Sequence, residues 1–175
     1  MAIRHCVRTL ASVPTIGCSR AMWRFVRAWR SACGRQVAQP YTALGPWAAT
    51  VVESRRPELI LSVEHHTCLA LVFELGAEAT FAAAWKAALM TSLSDLNVSP
   101  AHIAHETGAA AFRLEPLVDE RSAGMLAAVE FVCATELHYQ SDLVVVQRRL
   151  NEFPHDHPPD YTAMAAIRRM FRVVA

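Results

Sequence analysis

The stretch Pro57–Leu75, P-E-L-I-L-S-V-E-H-H-T-C-L-A-L-V-F-E-L, sets the tightest limit on what this chain can fold into. Leu59, Leu61 and Val63 alternate with Ile60, Ser62 and Glu64; after a short corner, Cys68, Ala70 and Val72 alternate with Leu69, Leu71 and Phe73. A period of two puts successive side chains on opposite faces of a strand, whereas a helix face repeats every three to four residues. The stretch therefore reads as two strands and a tight corner. Because the second run is apolar on both faces, it is expected at the centre of a sheet with cover on each side.

The rest of the chain reads as neighbours and cover for that pair. Trp47–Glu53 (W-A-A-T-V-V-E) is a preceding strand, and the short joins make the three strands antiparallel. From Thr80, the residues Phe81, Trp85, Ala88, Leu89, Leu93 and Leu96 recur at helical spacing and are expected to press on the hairpin. Ser99-Pro100 opens a short helix ending at Thr107, and Ala111–Glu115 alternates like a fourth strand. Ser122 is expected to cap a helix to His138 with Met125, Val129, Val132, Cys133 and Leu137 inward. Ser141 caps another to Glu152, built on Leu143, Val146 and Leu150. Beyond the loop F-P-H-D-H-P-P-D, Asp160 starts a last helix with Met164, Ile167, Phe171 and Val174 inward and Arg168, Arg169 and Arg172 outward. Upstream, Ala2–Cys6 reads as a short strand, Val7–Val13 as a turn of helix, and Pro14 and Gly17 as breaks.

The expected class is α+β, a small and mostly antiparallel sheet of about 3–5 strands packed by about 4–6 helices. At 175 residues, 53% of them hydrophobic, the chain has ample material for one core. The expected organisation is a basic segment over residues 1–40 and a single domain over 41–175. No apolar run is long enough to span a membrane. Five scattered cysteines without a C-x-x-C pair read as reduced thiols in a cytoplasmic setting.

The net charge of +1 conceals a division. Residues 1–52 hold seven arginines and no acid, whereas 53–175 hold ten basic residues against sixteen acidic ones. Behind Ser19, the run S-R-A-M-W-R-F-V-R-A-W-R-S-A-C-G gathers Met22, Phe25, Val26, Trp29 and Cys33 on one side of a helix. Arg20, Arg24, Arg27 and Arg30 gather on another, so the helix is basic and amphipathic. Packing against the acidic body, contact with a partner through the arginines with Trp23 and Trp29, nucleic-acid binding, a membrane surface and a targeting presequence all fit that pattern.

The order of L-G-x-W at Leu44, Gly45 and Trp47, an Arg-rich step into a strand pair, a helix, a strand, and D-E-R-S at Asp119–Ser122 resembles an uncharacterised bacterial domain-of-unknown-function family. Its members are small α+β proteins with L-G-D-W-Y-A-N before the hairpin and R-S-V-L-G-S-M-N-D before the later helix. The resemblance covers residues 44–173 and, more loosely, 3–10, with L-x-x-x-P at Leu150–Pro154 matching the C-terminal part. Pro46, Ala48, Ala49 and Thr50 replace D, Y, A and N, so only the alanine is kept; Arg121 and Ser122 survive from the second motif. The resemblance implies a fold and carries no activity.

No stretch matches a catalytic, nucleotide or structural-metal motif. His155, His157 and Asp160 share one loop and are the only candidates for a metal, and hence for a metal-dependent hydrolase. His102 and His105 are three apart, not the four of a zincin. His65 and His66 are expected to be exposed at the hairpin corner. Ser122 has Glu120 nearby but no identifiable histidine base, and a serine before a helix is first a cap. With no catalytic residue or cofactor indicated, the leading expectation is a non-catalytic binding or regulatory module that works through protein contacts and self-associates. Nucleic-acid binding by the arginine helix is the alternative.

Overall fold

The computed structural model describes residues 15–22, 42–54, 59–75, 80–108, 113–155 and 161–173. The elements are β1 (Thr15–Cys18), β2 (Trp47–Val51), β3 (Leu59–Glu64), β4 (Ala70–Glu74), α1 (Phe81–Asp95), α2 (Pro100–Thr107), β5 (Arg113–Pro116), α3 (Glu120–Tyr139), α4 (Leu143–Glu152) and α5 (Ala163–Met170). The α+β class holds. The sheet order is β4-β3-β2-β1-β5.

The alternating stretch forms the antiparallel pair β3–β4, with Ile60 opposite Phe73 and Ser62 opposite Leu71, and β2 adds antiparallel to β3. Beyond β2 the expectation fails. β1 runs parallel to β2 and to β5, so the sheet is mixed rather than mostly antiparallel. The segment around Pro14 and Gly17, read as a break, contributes an interior strand from within the first 40 residues. Gly17 suits it because a Cβ there would lie 2.7 Å from Leu117 Cδ1. The dipeptide break signal is local, while both partners of β1 are distant in sequence; pairing outweighs the local preference.

Two apolar layers enclose the sheet. On one face Ile60, Leu71 and Phe73 meet Phe81, Trp85, Leu89 and Leu93 of α1, joined by Ile103 of α2 and Ile167 of α5. On the other, Leu59, Leu61, Val63, Ala70 and Val72 meet Leu126, Val129 and Cys133 of α3 and Val146 and Leu150 of α4. This explains why β3 and β4 read as apolar on both faces. It also corrects the place expected for β4, which lies at the sheet edge. Its edge is covered by side chains: Asn151 Oδ1 accepts from Ala70 N at 2.8 Å, Asn151 Nδ2 donates to Ala70 O at 3.1 Å, and Gln147 Oε1 accepts from Val72 N at 2.9 Å.

The helix faces follow the spacing in sequence, and the starts follow cap chemistry. Thr80 caps α1 by accepting from Ala83 N, and Ser99 caps α2. Three other starts move by one to three residues: Asp119 rather than Ser122 caps α3, Asp142 rather than Ser141 caps α4, and Thr162 rather than Asp160 caps α5. In the first two an aspartate within three residues of a serine of equal cap preference takes the cap, Asp119 accepting from Ser122 N and Asp142 from Val144 N. Asn97, with φ 60°, ends α1 in the left-handed conformation, where Val98 N donates to Leu93 O.

Ser19 accepts from Met22 N, as a cap should, and Met22 is fully buried. The rest of the basic helix, with Trp23, Arg24, Arg27, Trp29 and Arg30, lies outside the described residues, as do the Ala2–Cys6 and Val7–Val13 elements. Among the described residues no helix is long and apolar enough to cross a membrane.

Candidate functional site

The densest polar cluster is the corner between β3 and β4. Glu64 ends β3 with no solvent exposure at all, a position where a carboxylate must be fully paired. Its Oε1 accepts from Gly45 N at 2.9 Å, and Oε2 accepts from His66 N at 2.9 Å, Thr67 N at 2.6 Å and Thr67 Oγ1 at 2.7 Å. Glu106 of α2, also buried, does the same one step upstream by accepting from Ala43 N and Leu44 N. Two buried carboxylates therefore hold three successive amides of the chain entering β2.

This arrangement gives L-G-x-W its physical content. Leu44 and Trp47 are buried, Trp47 meets Trp85 edge-on at 5.1 Å, and a Cβ on Gly45 would stand 2.4 Å from His66 Cδ2 and 2.9 Å from Glu64 Oε1. At the same corner Cys68 has φ 57°, a left-handed conformation that costs a residue with a Cβ about 1 kcal/mol or more. The Cys68 amide donates to Glu64 O at 3.0 Å.

The first turn of α3 closes over this corner. His65 Nδ1 lies 2.7 Å from Ser122 Oγ, and Cys68 Sγ lies 3.6 Å from Met125 Sδ. So the imidazole that local sequence did not offer Ser122 comes from a position 57 residues upstream. Asp119 accepts from Ser122 N at 2.8 Å. Hydrogen bonds from the Ser122 side chain and backbone, and then the charge of His65, hold the Asp119 carboxyl below its usual range.

His65, Ser122 and Asp119 hold the residue types of a nucleophilic triad in a different order. In a triad the carboxylate orients the histidine, and the histidine takes the hydroxyl proton. Here the carboxylate binds the serine itself. The Ser122 side chain also bonds Asp119, and its 2.7 Å contact with His65 Nδ1 takes its direction from the imidazole tautomer. Ser122 is also only 9% exposed. The cluster is satisfied from within, and its chemistry is that of a clasp between the hairpin corner and α3.

The thiols are as inert as their burial implies. Burial pushes the Cys18 and Cys133 thiols up to about 12, and burial with the Glu64 charge pushes Cys68 up to about 11. Cys18, Cys68 and Cys133 are free and buried.

The residues singled out from sequence do not converge. Arg20 is exposed on the helical turn after Ser19. On α5, Arg169 is exposed and Arg168 half-buried, and Arg172, in the turn just beyond the helix, is exposed. Of the loop candidates, His155 is half-buried beside the bridge that pairs Pro154 with Thr162, and His157 and Asp160 lie outside the described residues. Among the described residues no three His, Cys, Asp or Glu side chains come together to hold a metal ion. A cleft of about 490 Å³ lies between the end of α3 and the residues after β2, lined by Glu53, Ser54, Leu137, His138, Tyr139 and Ser141.

One surface remains that sequence reading passed over. Along α3 the exposed positions Ala123, Gly124, Ala127, Ala128, Phe131 and Ala134 carry no charge. Phe131 is 75% exposed, and nothing stands within 4 Å of where a Gly124 Cβ would be. The signal was available, because these positions are the complement of the inward-facing set on the same helix. No family model, curated protein or solved structure matches the chain.

Proposed function

We propose that the protein is a non-catalytic interaction module that pairs with a second copy of itself through the outer face of α3. The observation that carries this reading is the uncharged strip from Ala123 to Ala134 with Phe131 standing out of it. Covering a phenylalanine that far into solvent removes on the order of 150 Å² of apolar area, worth roughly 3–4 kcal/mol before association entropy is charged against it. The alanines and Gly124 let two helix axes approach closely.

The strip is also self-complementary. Antiparallel pairing about a two-fold axis at Ala127 and Ala128 sets each Phe131 over the Gly124 of the other copy, so knob and notch coincide by symmetry. Outside the strip, Arg121, Glu130 and Glu136 flank the contact, Glu120 stands one turn before Gly124, and Glu136 is already paired with Arg149 at 2.8 Å. The inverted order of His65, Ser122 and Asp119 supports a non-catalytic role.

Sedimentation velocity over a concentration series tests this. The parent chain is expected to dimerise reversibly and Phe131→Glu to be monomeric with an unchanged far-UV spectrum. A parent that stays monomeric through the micromolar range, or a Phe131→Glu variant that dimerises as well as the parent, refutes the reading.

A further inference from the structure

Gln147 and Asn151 are amides on a helix that otherwise faces an apolar layer, and they are 9% and 4% exposed. Burying an amide is unfavourable unless its polar atoms are used. Both are used on one thing, the unpaired edge of β4. In the register with β3, the outward-facing backbone groups of β4 belong to Ala70, Val72 and Glu74. Ala70 N, Ala70 O and Val72 N are taken by the two amides.

The spacing makes this feasible. Residues four apart on a helix are about 6 Å apart along its axis, and residues two apart on a strand about 6.8 Å. Positions 147 and 151 therefore address positions 72 and 70 in reverse order, as an antiparallel strand would. Val146 and Leu150, fully buried beside them, anchor the helix in that place.

We propose that Gln147 and Asn151 act as a surrogate sixth strand that closes the β4 edge to strand addition by a second copy of this chain. The edge they cover is A-L-V-F-E, backed by L-I-L-S-V-E in β3. Apart from Glu74 at its end this edge is apolar, and an apolar edge left bare is a template for pairing with its own copy. Among the described residues β4 carries neither proline nor lysine, two of the usual guards of an edge, so the amides hold that office.

The experiment uses the Phe131→Glu background, which removes α3 pairing and separates this inference from the proposed function. Gln147→Leu with Asn151→Leu keeps side-chain bulk and helix preference and deletes the hydrogen bonds. The double variant is expected to form assemblies whose size grows with concentration, to show the infrared signature of intermolecular strands, and to gain at least tenfold in hydrogen exchange at Ala70 and Val72 before assembly. Leu71 and Phe73, bonded to β3, should be unaffected. Should the double variant not fold, the single variants decide: Gln147→Glu keeps an acceptor for Val72 N and should behave as the background, whereas Gln147→Leu should expose Val72. Unchanged exchange with no assembly, or identical behaviour of Gln147→Leu and Gln147→Glu, overturns the proposal.

Discussion

Replacing Glu64 by glutamine changes one atom and tests the account of the hairpin corner. The carboxylate accepts from four donors, three on Oε2 and one on Oε1. Glutamine has a single acceptor oxygen. If that oxygen stays with His66 and Thr67, the new NH2 group meets Gly45 N, donor against donor at a 2.9 Å contact, and one buried amide is left unsatisfied. That loss is about 1–3 kcal/mol, and weakening three charge-assisted bonds to neutral ones adds about 0.5–1 kcal/mol each. Relief of the cost of burying a carboxylate opposes these terms, so the expected net loss is about 2–4 kcal/mol. Urea unfolding followed by tryptophan fluorescence reads it, since Trp47 and Trp85 are both buried beside β2 and β3. At roughly 2 kcal/mol per molar urea the midpoint should fall by about 1–2 M. A loss under about 1 kcal/mol would mean that the four bonds contribute little and that the corner is held by its apolar neighbours instead.

Two further substitutions probe the layers on either side of the sheet. Trp85→Ala removes the edge-on contact with Trp47 and the Nε1–H bond to Ser62 Oγ at 3.2 Å, and should cost about 3 kcal/mol or more in chemical unfolding; a change below about 1 kcal/mol would refute the assigned face. Glu130→Gln probes pH. Burial and then the Glu53 charge raise the Glu130 carboxyl above its ordinary value, so the ionised form is disfavoured in the folded state. The stability that this group contributes is therefore full below its unfolded value and falls as pH rises through the raised folded value. Thermal melts across that window should show Glu130→Gln more stable than the parent at neutral pH and level with it in acid; the reverse order would refute the assigned cause.

What could be read in advance was whatever rests on neighbours a few residues apart. The alternation in Leu59–Val63 and Ala70–Phe73, the spacing of Phe81, Trp85, Leu89 and Leu93, and the Ser99-Pro100 start all reappear in place. What escaped depends on distant partners. Thr15–Cys18 is four residues long and contains a glycine, and nothing within it reports that Trp47 and Arg113 will lie on either side. The same holds for the site. His65 looked like an exposed corner residue and Ser122 like a cap, and only the packing of α3 across the hairpin joins them. Alternation puts Glu64 on the face of Ile60 and Ser62, but nothing near it in sequence reports the amide of Gly45, nineteen residues earlier, that its carboxylate accepts from.

The place of β1 has a consequence for the order in which the chain assembles. β2, β3, β4 and α1 are consecutive and contact one another through short loops, so their closure costs little chain entropy and they can collapse early. β1 precedes all of them in the chain and pairs Ile16 with Trp47 on one side and Leu114 on the other, so it can join β2 early but has its second partner only once β5 has been made. Until then β1 presents a second open edge, opposite the one that α4 covers, so the sheet stays open on both sides until more than a hundred residues have been added.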